Sequence, residues 1–445
     1  MQWTTTAGAP LSTVAARPPF GTGGLLRRLG PGLLISVGYM DPGNWATDIE
    51  AGSRFGYGLL WVVVASSLAA MLLQTLAARL GIASGLDLAQ LCRARYGPLG
   101  RTALWLLAET AIIATDLAEV LGCALAFHLL FGVPMLVGAG LTLFDTLVVL
   151  ALQGRGLQRL EAVVLGLVAT IGACFAYELA VVGVDGAAAL RGLQPSLALL
   201  HEPHALALAI GIVGATVMPH NLYLHSALVQ PVPEAGGLPS AAMATETAAE
   251  KSRAIRTASV DTVGSLALAL LVNAAILLLA AQAFHGHGRV VADIGDAYRL
   301  LEPLTGVSLA AALFGVALLA SGQSSTITGT LAGQVVMEGF LRLRMPLWQR
   351  RLLTRSLALV PAFVGLAWLG DSAVGRLLVA SQIVLSLQLP FALWPLLRAV
   401  GDRSLLGELA APRAACAAGW AIFAVIVAGN GWLLARLAGL VPTSA

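Results

Sequence analysis

Apolar residues along the chain gather into runs of about 18 or more, punctuated by Gly, Pro and Arg. Runs of that length are what an α-helix needs to cross the hydrocarbon core of a bilayer. They fall near residues 29–52, 58–82, 102–131, 133–153, 160–183, 204–229, 258–284, 307–334, 352–369, 375–397 and 414–436. The pattern predicts an all-α polytopic membrane protein with 11 transmembrane helices. It divides the chain into a tail at 1–28, a single transmembrane domain over 29–436 and a second tail at 437–445. Residues 230–255, rich in Pro, Gly, Ala and Glu, read as a flexible loop between the sixth and seventh spans.

Composition makes the same case by exclusion. Of 445 residues 58% are hydrophobic and 11% charged, and the mean hydropathy is +0.84. A soluble domain carries about 25% charged residues, so this chain has too little polar surface to be one. The basic residues also set an orientation. With the N-terminus in the cytoplasm, 20 of the 26 basic residues lie on the inner side, which is the bias the positive-inside rule demands. The C-terminus is then outside. No signal-peptide layout is present in residues 1–20. Cys92, Cys123, Cys174 and Cys416 show no C-x-x-C spacing and read as buried thiols, with neither a disulfide nor a cysteine-based metal site.

Two spans carry polar, helix-breaking residues at mid-run. The first holds Asp41-Pro42-Gly43-Asn44 and the sixth holds Gly214-Ala215-Thr216-Val217-Met218-Pro219-His220. Proline removes a backbone donor and glycine tolerates irregular dihedrals, so both helices should open near mid-membrane. Open backbone at that depth survives only where it is buried or lines a cavity. Five spans apart, the two cross in opposite senses, the arrangement of a transporter site between inverted repeats. Asp41 offers a hard anionic oxygen, Asn44 a carbonyl and Met218 a thioether, with the freed carbonyls of Gly38 and Ala215 available to complete a shell. Mg²⁺ and Ca²⁺ gain little from sulfur, whereas later first-row ions do. The set suits Mn²⁺ or Fe²⁺ as a transported substrate rather than a cofactor, with Co²⁺ or Cd²⁺ as passengers.

Tyr39-Met40-Asp41-Pro42-Gly43-Asn44 with Ala46-Thr47-Asp48-Ile49, and Met218-Pro219-His220 with Tyr223-Leu224-His225-Ser226, resemble the Nramp family of divalent-metal transporters, most closely its bacterial manganese-uptake branch. Ala114 to Glu119, Ala320 to Thr326 and Pro346 to Arg351 extend the resemblance over most of the chain. It implies a LeuT-type 5+5 inverted repeat, about 29–183 and 204–397 with 414–436 as an extra helix, and proton-linked uptake of Mn²⁺ or Fe²⁺ across the bacterial inner membrane. It also implies Asp41, Asn44, Met218 and the Ala215 carbonyl as metal ligands, joined in some states by Gln382. Glu50 departs from the family pattern, which commonly has a neutral residue there.

Ionisable residues inside spans are functional candidates. Glu109, Asp116 and Glu119 share one face of the third span at helical periodicity, and three carboxylates on one intramembrane stripe need cations or protons. Arg350, Arg351 and Arg355 at the start of the ninth span are the candidate partners, and the resemblance favours Arg350 and Arg351. His220 and His225 titrate in a useful range but lie about 140° apart on their helix. The segment Ser321–Thr330 is expected to supply hydrogen bonds between helices. Asp145 is assigned no role, and His128, His285 and His287 read as interfacial or loop residues. The competing readings are a same-fold carrier of Mg²⁺ or an amino acid and a membrane-embedded metallohydrolase. The last needs H-E-x-x-H or a similar cluster, which the sequence lacks, and no Walker motif is present. The expected partners are divalent ions, protons and lipid, with no nucleic acid.

Overall fold

The structure, a computed structural model, describes residues 30–440 apart from 154–156, 231–246, 292, 344 and 371–372. The expected N-terminal tail, most of the expected loop, and the side chains of Asp145, Arg155 and Arg159 lie outside the described residues. Helix follows helix, with no strand among the described residues. The order is α1 (Pro31–Gly38), α2 (Pro42–Phe55), α3 (Leu60–Ser84), α4 (Leu88–Arg95), α5 (Pro98–Phe131), α6 (Met135–Gln153) and α7 (Leu157–Val182). Then come α8 (Pro203–Thr216), α9 (Pro219–Leu228), α10 (Ala248–Ala283), α11 (Ile294–Thr305), α12 (Ser308–Leu341), α13 (Leu347–Leu369), α14 (Ala373–Val400) and α15 (Arg413–Leu437), with short helical turns between some of them.

Every expected span falls on helix. Nine helical stretches among the described residues are long and apolar enough to cross a membrane. The number falls short of eleven because Pro42–Ser84 runs on as one stretch and because α6 enters only as the short apolar piece Met135–Phe144. Burial separates centre from rim: 83% of the apolar window is buried in α5 and in α8–α9, against 22% in α15. The outer faces stay apolar, as a bilayer requires.

Two expectations are corrected. The loop over 230–255 is helical from Ala248. The Glu250 N–H donates to Thr247 Oγ1 at 3.2 Å and the Thr247 N–H to Glu250 Oε2 at 2.8 Å, a capping box that composition alone conceals. The Ser321–Thr330 segment of α12 bonds mostly within its own helix, as Ser324, Ser325, Thr328 and Thr330 all donate to carbonyls three or four residues back. Such local back-bonding satisfies a hydroxyl without any partner helix. Ser321 and Thr326 do reach across, to the Met40 carbonyl and to Glu119 Oε2.

α1 lies along α10 and is fixed to it at both ends. Asp261 accepts from the Gly30 and Gly32 N–H groups at 3.0 and 2.8 Å, satisfying donors that a helix start leaves unpaired. Asn273 donates to the Tyr39 carbonyl at 2.9 Å. A smaller clamp sits at α4. Asp87 Oδ1 accepts from Gln90 N–H at 2.8 Å, Leu88 N–H donates to Ser226 Oγ of α9 at 2.9 Å, and Arg93 donates to the Glu338 and Gly339 carbonyls ending α12. Cations and helix C-termini attract.

Burial pushes the Asp87 carboxyl up to about 7, against the lowering effect of the Gln90 and Ala89 N–H groups and the Arg93 guanidinium. A carboxyl raised above its unfolded value of about 3.9 disfavours the folded state progressively as pH rises through that window. The thermal midpoint of the wild type is therefore expected to fall between about pH 4 and about pH 7 more steeply than that of Asp87→Asn, which keeps the cap but does not titrate. Parallel pH profiles in a thermal-shift assay would remove Asp87 as the cause.

Candidate functional site

Both interrupted spans break by the same arithmetic. Pro42 follows Gly38 by four residues, and Pro219 follows Ala215 by four. Each proline lacks the N–H that would have closed the i to i+4 bond, so the Gly38 and Ala215 carbonyls lose their helical donor. Among the described residues no backbone bond outside the helices replaces it at either position. The residue before each proline, Asp41 or Met218, becomes the N-cap of the second half-helix. The other opened carbonyls are satisfied: Tyr39 by Asn273 at 2.9 Å, Met40 by the Trp45 indole at 3.2 Å and by Ser321.

Asp41 Oδ1 accepts from the Asn44 backbone N–H at 3.0 Å and from its carboxamide at 2.7 Å. Asp41 Oδ2 has no partner. Gln382 of α14 joins the two breaks. Its side chain occupies the space a Cβ on Gly43 would take, and its carbonyl lies against Gly214. Gln382 Nε2 donates to Ser381 at 3.0 Å, while Oε1 has no partner. On the other flank Gly38 faces Asn221, whose amide donates to the Met218 sulfur at 3.6 Å and whose Oδ1 is unpartnered. Asp41, Asn44, Ala215, Met218 and Gln382 are all buried, none more than 1% exposed. The junction is thus rich in lone pairs and poor in donors. Buried acceptors are normally paired, and two helix C-termini add partial negative charge. Such a surplus of acceptors favours a cation. Among the described residues no three His, Cys, Asp or Glu side chains form a metal-holding group, and the groups at this junction are mixed: one carboxylate, amides, carbonyls and a thioether.

A second polar cluster lies between α5, α12 and α13, and it gathers the three carboxylates expected on one stripe. Arg350 Nη2 meets Glu109 at 2.6 Å. Arg351 is paired with Asp116 and also reaches Glu119 at 3.1 Å. Arg355 reaches Glu119 at 3.2 Å, and Thr326 donates to the same oxygen at 3.0 Å. His220 connects this cluster to the second break, its Nδ1 lying 3.3 Å from Thr115 Oγ1, next to Asp116, while Nε2 has no partner. His225 sits apart from the carboxylates. Its Nδ1 meets Gln74 at 2.9 Å and its Nε2 meets Thr262 at 3.4 Å, and Gln74 in turn donates to the Tyr39 hydroxyl at 2.8 Å.

A family model described as natural resistance-associated macrophage protein-like, Nramp, matches residues 32–436. The chain belongs to the Nramp family. It is 63% identical over 407 residues to divalent metal cation transporter MntH 1 of Pseudomonas aeruginosa, covering 91% of this chain and 90% of that protein. It is 60% identical over 411 residues to the MntH transporter of Ralstonia nicotianae, covering 92% and 91%. A solved structure of the Eremococcus coleocola manganese transporter, in complex with an aromatic bis-isothiourea substituted compound, superposes with a TM-score of 0.85 at 36% identity, over 95% of this chain and 90% of that one. The fold alone extends to Mhp1, a nucleobase-cation-symport-1 family transporter, with a TM-score of 0.56 at 14% identity over 92% and 93% of the two chains. The expected all-α fold of LeuT type is thereby met in this Nramp chain, and it is a multi-pass membrane protein.

Several polar residues of this Nramp chain escaped sequence reasoning. Asn221, Gln74, Asn273 and Thr115 are uncharged and blend into apolar runs, so only the geometry singles them out. Glu178 of α7 carries a signal that could have been read, an acidic residue inside a span, and its two buried oxygens are unpartnered. Glu50, where the family pattern commonly has a neutral residue, lies inside α2, paired with His204 of α8 at 2.9 Å and Arg54 at 3.5 Å.

Gly122 of α5 lets that helix approach the Pro42 ring, which occupies the space a Cβ would need. A rigid ring cannot yield as a flexible side-chain tip does. Gly122→Ala is expected to lower stability by about 1–3 kcal/mol, read as a lower thermal midpoint, while Gly166→Ala in α7, with open space at its Cβ position, is neutral or slightly stabilising. Equal behaviour of the two would show that the α5–Pro42 approach carries no constraint.

Proposed function

We propose that this chain is a secondary transporter, not an enzyme, that imports Mn²⁺ or Fe²⁺ together with protons across the bacterial cytoplasmic membrane. The observation that carries the reading is the donor-poor junction at the two breaks, where Asp41 Oδ2, Gln382 Oε1, Asn221 Oδ1 and the Gly38 and Ala215 carbonyls lack partners beside a buried thioether. The metal-transport names of its relatives agree with it. In this reading Asp41, Asn44, Met218 and the Ala215 carbonyl hold the ion, with Gly38 and Gln382 completing the shell in some states. The single transmembrane domain spans 29–436, built from inverted repeats at about 29–183 and 204–397, and the matching Gly38–Pro42 and Ala215–Pro219 breaks support that division. The N-terminus is cytoplasmic and the C-terminus external, on the 20 to 6 partition of basic residues.

Burial of all the ligands means that the ion sheds most of its water on binding, and the fixed oxygens and sulfur replace that shell. Met218 biases the exchange toward softer ions. Arrival of a divalent charge beside Asp41 disfavours a proton there, and the displaced proton needs an acceptor. His220, with its unpartnered Nε2, and Asp116 beyond it lead away from the junction toward Glu119, Arg351 and Arg355. Glu109 and Arg350 form the far end of that line, and His225 acts from its separate contact with Gln74.

The deciding experiment is uptake into proteoliposomes with internal pH recorded in parallel. Asp41→Ala is expected to abolish Mn²⁺ uptake in a protein that still inserts. Met218→Ala is expected to weaken Cd²⁺ more than Mn²⁺ and to reduce discrimination against Ca²⁺ and Mg²⁺, since Cd²⁺ gains most from sulfur. Near-normal Mn²⁺ uptake by the first variant, or equal losses for both ions in the second, would remove those residues from the shell.

The second test concerns protons. Asp116→Asn is expected to reduce metal-linked acidification more than metal uptake. Loss of both in strict proportion would make the carboxylate–arginine cluster a structural lock instead, and an unchanged proton flux would leave His220 without Asp116 as its acceptor.

A further inference from the structure

Away from the junction, a cavity of about 270 Å³ opens between α4 and the end of α14, lined by Leu91, Arg95, Tyr96, Trp394, Pro395 and Arg398. That is just below the roughly 300 Å³ at which pockets for whole small ligands begin, so it has room for a headgroup with the rest of the molecule outside. The approach to it is graded along one stripe of α14. Phe391, Trp394 and Arg398 are spaced for one helix face, and all three are exposed. The stripe runs from apolar to amphipathic to cationic, the same order as acyl chain, interface and phosphate. Tryptophan and tyrosine belong at that interface. Trp394 also packs edge-on against Trp420 of α15 at 5.4 Å and beside Phe423 at 5.9 Å, which extends an aromatic wall along the membrane-facing side.

The charge count narrows the ligand. Arg398 lies over the Trp394 ring at 5.8 Å and has no ion pair among the described residues. Arg95 is paired through Nη2 with Asp402 at 2.6 Å, which leaves most of its five N–H donors unused by that contact. The Ser404 hydroxyl, and then Arg95, hold the Asp402 carboxyl down at about 2, so it stays charged at any working pH. Two guanidiniums and one carboxylate leave one net positive charge, the complement of a phosphodiester. Guanidinium groups match phosphate oxygens in a bidentate way, and basic pockets between helices at the cytoplasmic face hold anionic headgroups.

We propose that this pocket binds an anionic phospholipid of the cytoplasmic leaflet through its phosphodiester, with Arg398 and Arg95 on the phosphate and an acyl chain along Phe391 and Trp394. The assignment takes the cytoplasmic side from the orientation proposed above, but it does not depend on what the protein transports. Bound lipid would bridge α4 and α14.

The full chain reconstituted in phosphatidylethanolamine with a fraction of phosphatidylglycerol tests this, the two lipids brominated in turn on the acyl chain. Trp394 fluorescence, isolated by difference from Trp394→Phe, is expected to be quenched more by brominated phosphatidylglycerol than its share of the bilayer dictates. Arg398→Gln is expected to lower that preference about fivefold, the equivalent of about 1 kcal/mol per basic residue at the surface. Arg398→Lys should keep part of it, and Asp402→Asn should raise it by freeing Arg95. Equal quenching by the two lipids, or an unchanged preference in Arg398→Gln, would overturn the proposal. So would loss of the preference on adding millimolar inorganic phosphate, which would assign the pocket to a soluble anion. Because the readout is binding to a folded, inserted protein, it is separate from any failure of metal uptake.

Discussion

A carbonyl in the middle of a bilayer must find a donor within the protein, and two prolines take away the helical donor of Gly38 and Ala215. Most of the surrounding structure follows from managing this deficit. Asn273, Trp45 and Ser321 are placed to satisfy the neighbouring opened carbonyls. Gly122, Gly43 and Gly214 let other helices close tightly around the breaks. The oxygens left over are concentrated at one place rather than scattered.

The arginine cluster shows a different balance. Placing Asp116, Glu119, Arg351 and Arg355 where each is no more than 1% exposed incurs a desolvation penalty that mutual attraction only partly offsets. A merely adhesive contact between α5 and α13 would be served better by apolar side chains. Ions retained at such a penalty suggest a task that needs charge, and their connection through Thr115 to His220 leads back to the second break.

The sequence and the structure agree where the signal is periodic or is written in charge. Span positions, both breaks and the common face of Glu109, Asp116 and Glu119 were legible because length, proline and helical spacing each leave a direct mark. The pairing of that face with Arg350, Arg351 and Arg355 could be anticipated because these cations stand together at the start of one span, and the family resemblance favours the first two. Local hydrogen bonding was harder. Thr247 and Glu250 form a capping box inside a stretch whose composition reads as loop, and the α12 hydroxyls turn back on their own helix because a nearby carbonyl is always available. Asn221 and Gln74 were invisible for a further reason: a neutral amide in an apolar run gains its role only from what packs beside it.

α1 gives these contacts a mechanical meaning. Its eight residues make a rod about 12 Å long, pinned at one end by Asp261 and at the other by Asn273, both on α10. With both pins in place α1 is tied to α10 at both ends. Freeing the Asp261 end alone would leave Asn273 as a pivot, so that α1 swings as a lever whose short arm ends at Asp41. The latch is a single carboxylate holding two N–H groups, and charged hydrogen bonds of this kind are worth about 1.5–3 kcal/mol each.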